Sequence, residues 1–147
     1  MIGDDMKNMK EAQKNNVLSL FIRSLEAIVE ENRKNPKSAK KINQLHLRIN
    51  FGLEIEEDAY IWFHFICTSG KVEIEKGRLE DDYDLVIKSV PEDLMFFTNG
   101  ENSLFHMLFK KNKYGKRKLQ IKKGTTGRNL KKLIKIPGIL SLDNGKI

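Results

Sequence analysis

The side chains able to do chemistry are few and scattered. His46, His64 and His106 stand far apart along the chain. No two of them have metal-ligand spacing, so no zinc or other metal site is expected. Cys67 is the single cysteine, which excludes an internal disulfide framework. His64 and Cys67 are three residues apart on an expected strand, so they point to opposite faces and form no dyad. Glu80-Asp81-Asp82 reads as a solvated charge run. The chain carries no Ser-His-Asp order, no glycine-rich phosphate loop and no helical His-x-x-x-His. Enzymatic activity therefore has no residues to rest on, and no cofactor is expected.

What the chain has instead is surplus apolar surface. Between Leu94 and Phe109 the only formal charge is Glu101. A helix lying on a sheet needs one apolar stripe, with polar residues on its other face. Leu94, Phe97, Phe105 and Leu108 would supply that stripe, leaving Met95, Phe96, Met107 and Phe109 over. The surplus must be buried by another element, a partner, a membrane or a ligand. Methionine and phenylalanine line adaptable pockets well, being large and free of strong polar demands.

The elements that position this segment follow from periodicity. Residues 1–15 read as a polar lead-in, 16–142 as one domain and 143–147 as a C-terminal tail. Val17, Leu18, Phe21, Leu25 and Ile28 recur at helical spacing up to about Arg33, where Asn35-Pro36 ends the helix. From Leu45 to Ile55 apolar and polar residues alternate, the pattern of a half-buried antiparallel strand. The segment Tyr60–Cys67 is apolar on both faces and reads as a strand covered from both sides. Further strands are expected around Val72 and Ile74 and over 83–88. Ser89-Val90-Pro91-Glu92 then reads as a capping box. It opens a short helix that stops at Asn99-Gly100. A second short helix starts near Asn102 or Ser103, and a fifth strand follows at 117–122 with Leu119 and Ile121 inward. A last helix, capped by Thr126 and bearing Leu130, Leu133 and Ile134, ends at Pro137-Gly138. Antiparallel strands with helices gathered later make an α+β fold.

Several of these segments resemble the sterol carrier protein type-2 domain. They are Ile49-Asn50-Phe51-Gly52-Leu53-Glu54-Ile55, Gly70-Lys71-Val72-Glu73-Ile74, Tyr83–Ser89 with Glu92-Asp93-Leu94 and Gly100, and Lys118-Leu119-Gln120-Ile121-Lys122. The similarity runs from about Val17 to Leu140. The chain departs from the family pattern in a stretched Gly115–Leu119 and a longer basic loop over Lys110–Tyr114. The resemblance implies a five-stranded mixed, mainly antiparallel sheet covered on one face by helices. It also implies an apolar tunnel that binds fatty acyl chains, sterols or similar lipids without catalysis. Leu94, Met95, Phe97, Phe105, Met107 and Leu108 of the short helices, with Leu133 of the last helix, are the expected lining.

Net charge is +7, but its distribution is more telling. From Glu54 to Asp93 there are twelve acids and four bases, whereas Lys110–Lys135 holds twelve bases and no acid. Arg128, Lys131, Lys132 and Lys135 share one face of the last helix. That face could dock onto an anionic membrane surface, or it could be an ordinary solvated face. The bases around Tyr114 also suit a nucleic acid, but no recognisable motif accompanies them and the acidic middle would repel that ligand. A protein-interaction module using the apolar helices is the main alternative to a lipid carrier. Met1–Gln13 holds no apolar run of a signal peptide, and no segment is long enough to span a bilayer, so the cytoplasm is expected.

Overall fold

In the computed structural model, residues 2–123 and 127–140 are described. The chain runs α1 (Ile2–Arg33), α2 (Pro36–Gln44), β1 (Leu47–Glu56), β2 (Ala59–Thr68), β3 (Lys71–Lys76) and β4 (Leu85–Ser89). It continues as α3 (Pro91–Thr98), α4 (Leu104–Phe109), β5 (Gln120–Lys123), α5 (Gly127–Ile134) and α6 (Ile136–Leu140). The five strands form one mixed sheet in the order β3-β2-β1-β4-β5. Only the β1–β4 pairing is parallel; the other three are antiparallel. The fold is α+β.

Alternation in β1 sets the layering. Leu47, Ile49, Phe51 and Leu53 are buried on one face. The register places Cys67, Phe65, Phe63 and Ile61 of β2 beside them, then Leu85 and Ile87 of β4. Helix α1 lays Leu18, Phe21, Leu25 and Val29 into the same core. Its Phe21 ring meets Phe63 at 5.6 Å, and Phe63 stacks on Phe51 at 4.9 Å. Helix α6 adds Ile136, Ile139 and Leu140.

Several helices depart from the sequence expectation; α1 begins at Ile2 and so takes in most of the expected polar lead-in. Pro36 ends α1 and at once opens α2, because the Asn35 side chain accepts from the Lys37 N–H at 2.9 Å. A proline at the first helical position loses no hydrogen bond. Likewise Pro137 falls inside α6 rather than terminating the previous helix. The expected Ser89 capping box does not form: α3 begins from Val90 with no side-chain cap. The Ser89 hydroxyl instead donates to the Lys118 carbonyl at 2.7 Å, tying the end of β4 to the segment before β5. Ser103 does cap α4, accepting from the His106 N–H at 3.1 Å. The expected Thr126 cap and the 143–147 tail lie outside the described residues.

The second face of β2 is covered differently from expectation. Tyr60, Trp62, His64 and Ile66 are half-buried there; the 77–84 segment meets Trp62 and His64, and Lys88 lies over the Tyr60 ring. Asn50 clamps that segment, accepting from the Leu79 N–H at 2.7 Å and donating to its carbonyl at 3.0 Å. The Arg78 guanidinium sits 3.9 Å over the Trp62 ring. Gly52 makes room for that ring, since a Cβ there would stand 2.8 Å from Trp62 Cη2.

Candidate functional site

Short helices present few residues, so their phase decides what each side chain meets. Once Ser103 fixes the start of α4, Leu104 and Met107 turn inward and are buried, and Leu108 is half-buried. Phe105 and Phe109 turn outward, 69% and 65% exposed. In α3, Leu94 and Phe97 are buried, while Met95 and Phe96 face out at 50% and 41% exposure. Leu133 of α5 is buried. Of the expected lining residues, Leu94, Phe97, Met107 and Leu133 thus join the core, and Leu108 stands at its edge. Phe105 and Met95 are corrected to surface residues. Apolar spacing on helices of six and eight residues does not fix which side faces the sheet.

Open space lies beside these helices. A groove of about 670 Å³ runs between α4, β5 and α5. Its apolar surface comes from Leu108, Leu119, Ile121 and Leu130, and its rim carries Lys111, Lys116, Arg117 and Lys122. Among the described residues no acid lines it. Ligand sites in proteins span roughly 300–1,000 Å³ and pair apolar walls with a few placed polar groups. Leu119, Ile121 and Leu130 were visible as inward positions from strand alternation and helical spacing. Nothing in the sequence alone marked them as one surface.

The rim is held by a charge clamp that spacing could not reveal. Residues Lys111 and Arg117 bridge, so the segment between them is a tight basic turn. Within it the Asn112 side chain accepts from the N–H groups of Tyr114 and Lys116. Lys116 Nζ lies 2.6 Å from both Glu54 Oε2 and Asp58 Oδ1. The Glu54 side chain is fully buried and also accepts from the Asp58 N–H at 2.8 Å. The hydrogen bonds from Asp58 and Glu54 hold the Lys116 ammonium charged well above the ordinary lysine range. In turn Lys116 holds the Asp58 carboxyl below its usual range.

A lysine-to-methionine change at 116 leaves the buried Glu54 carboxylate with one donor, and an unpaired buried charge is costly. Lys116→Met is therefore expected to lower the urea midpoint at neutral pH, and Glu54→Gln in the same chain to restore part of the loss. Asp58 has a depressed folded-state pKa, so its contribution is present above the ordinary carboxylate value, about 3.9. It is lost as pH falls through the lower folded value. The gap between wild type and Lys116→Met should accordingly narrow in acid.

The remaining candidates separate. Arg128 and Lys131 are exposed on α5 and Lys132 is half-buried, whereas Lys135, expected on the same helix face, is exposed in the turn between α5 and α6. Around Tyr114, Lys116 is engaged as above and Lys118 faces Asp93 at 3.7 Å. Burial pushes the Cys67 thiol up to about 11, and its Sγ donates to the Ile42 carbonyl at 3.4 Å. His64 sits 3.0 Å from the Gly77 carbonyl. Among the described residues no cluster of His, Cys, Asp or Glu could hold a metal ion. None of the described helices is long and apolar enough to cross a membrane. A second, smaller groove of about 340 Å³ lies between α1 and α3, walled by Val17, Leu20, Met95 and Phe96.

No family model matches the chain, and no curated protein matches it. Among solved structures, the apo form of sterol carrier protein 2 from Yarrowia lipolytica is similar, with a TM-score of 0.50 and 18% identity. That match covers 78% of this chain and 84% of that one. A further sterol carrier protein 2 crystal structure aligns at a TM-score of 0.46 and 14% identity, over 86% of this chain and 96% of that one. The Yarrowia match shows that this chain has a sterol carrier protein 2-like fold.

Proposed function

We propose that the chain is a non-enzymatic carrier that binds the apolar part of a fatty acyl or sterol-like lipid in the groove between α4, β5 and α5. The observation that carries this reading is the pairing of an apolar floor with an all-basic rim. The floor removes a hydrocarbon from water at about 0.8 kcal/mol per buried methylene, and the rim receives an anionic end. The likeness in fold to a protein called a sterol carrier supports the same reading. Selectivity among chain lengths is modest, since neighbouring lipids differ by little buried surface. Carriage without chemistry is consistent with histidines on separate elements and a thiol sealed in the core. The basic residues of α5 (Arg128, Lys131 and Lys132), with Lys135 in the turn after it, serve as a docking surface for anionic membrane, and the carrier acts in the cytoplasm.

Native mass spectrometry of gently purified protein tests the proposal. Apolar adducts are expected, and added fatty acid should shift the unloaded species by one ligand mass. Failure to load any fatty acid or sterol would overturn it. A second reading, a protein-interaction module, is favoured by the apolar α1–α3 groove. A partner helix seated there would require Leu20 and Phe96 and leave the β5 groove unused.

A further inference from the structure

Phe105 and Phe109 are four residues apart and share the outer face of α4. Exposing two phenylalanines side by side is unfavourable in water, which favours covering this face. Its surroundings define the chemistry of what would cover it. Arg117 Nη1 donates to the Phe109 carbonyl at 2.5 Å, which holds the basic turn against the end of α4. Lys110, Lys111, Lys113 and Arg117 are exposed, and among the described residues none of them pairs with an acid. No acid occurs in the sequence between Glu101 and Asp143. Two exposed aromatic rings beside four cations that no acid neutralises are complementary to a surface that is anionic outside and apolar just beneath.

We infer that the α4 edge, Phe105 and Phe109 with the 110–117 turn, inserts into the headgroup layer of an anionic bilayer. The rings reach the acyl boundary while the lysine stems lie along it and place their ammonium groups among the phosphates. Leu108 and Arg117 also line the β5 groove. Docking by this edge therefore brings the groove to the membrane, and a lipid passes between them with little exposure to water. That last step rests on the carrier reading above; the docking itself does not.

Co-sedimentation with vesicles of phosphatidylglycerol and phosphatidylcholine, and with phosphatidylcholine alone, tests the inference. Binding of spin-labelled stearate in vesicle-free buffer is measured in parallel. Wild type is expected to bind the anionic vesicles and to release them as salt rises. Phe105→Ser with Phe109→Ser should weaken vesicle binding at least about tenfold, and Lys110→Glu with Lys113→Glu by a similar factor. Both variants should keep stearate binding, which also shows that they fold. Wild type that ignores anionic vesicles would overturn the inference, as would serine variants that bind them unchanged. A wild-type dimer that the serine changes dissociate, with no vesicle binding, would overturn it in favour of a contact between copies. Vesicle binding without stearate binding would support the docking edge and remove the carrier reading instead.

Discussion

A glutamate in place of Leu130 is expected to weaken binding of spin-labelled stearate at least about a hundredfold. Leu130 is half-buried on α5 and shares the groove with Leu108, Leu119 and Ile121. A carboxylate placed there must shed its water whenever a hydrocarbon chain enters. It also puts a negative charge beside an anionic ligand and draws the rim bases away from it. Helix α5 tolerates the change, because glutamate is a good helix former and position 130 is only partly covered. Leu20→Glu is the control. That residue is 63% exposed in the α1–α3 groove, so stearate binding should be unchanged. The opposite pattern, with Leu20 needed and Leu130 dispensable, would move the ligand to the other groove. Stearate binding that survives Leu130→Glu at full strength would overturn the assignment of the β5 groove.

The largest effect on stability is expected from Phe63→Ala. Phe63 is fully buried, stacks on Phe51 across the β1–β2 ladder and meets Phe21 of α1. Its removal leaves a void at the junction of helix and sheet. Truncating a core phenylalanine to alanine costs about 3–5 kcal/mol, a large fraction of the usual net stability of a domain. Urea unfolding followed by circular dichroism should show a lower midpoint with a nearly unchanged slope. A midpoint within error of wild type would mean that α1 does not pack on the sheet as described. Lys116→Met, by contrast, acts at the opposite face, and the two effects should add because the sites share no partner.

The sheet was legible because its strands carry period two in long runs. Leu47, Ile49, Phe51 and Leu53 announced both the strand and the buried face. The α+β class and the order of the five strands along the chain followed from the same kind of pattern. The two prolines misled, because proline stops one helix and starts another with equal ease, and only the local cap decides. Asn35 supplies that cap for α2. The 77–84 cover on the second face of the sheet was hidden for a different reason: polar loops carry no periodicity, and its anchor is one side chain, Asn50. The Glu54–Lys116 clamp joins residues 62 positions apart, beyond any spacing argument. Phe105 and Met95 show the limit most plainly. Their apolar character was visible, but the outward direction came from the phase of very short helices. Of the surplus that suggested an interior lining, Met95, Phe96 and Phe109 mark the surface and Met107 is buried.

Gly52 has a practical consequence. It lets the Trp62 ring lie flat across β1, between the Arg78 guanidinium and the second face of the sheet. Trp62 is the only tryptophan in the chain, and the β5 groove opens elsewhere, without Trp62 in its wall. Intrinsic emission from this protein is thus a gauge of the 77–84 cover and of unfolding, and a ligand placed in the β5 groove should leave it unchanged. A spectroscopist watching for loading will need a label in the groove, because the native chromophore looks the other way.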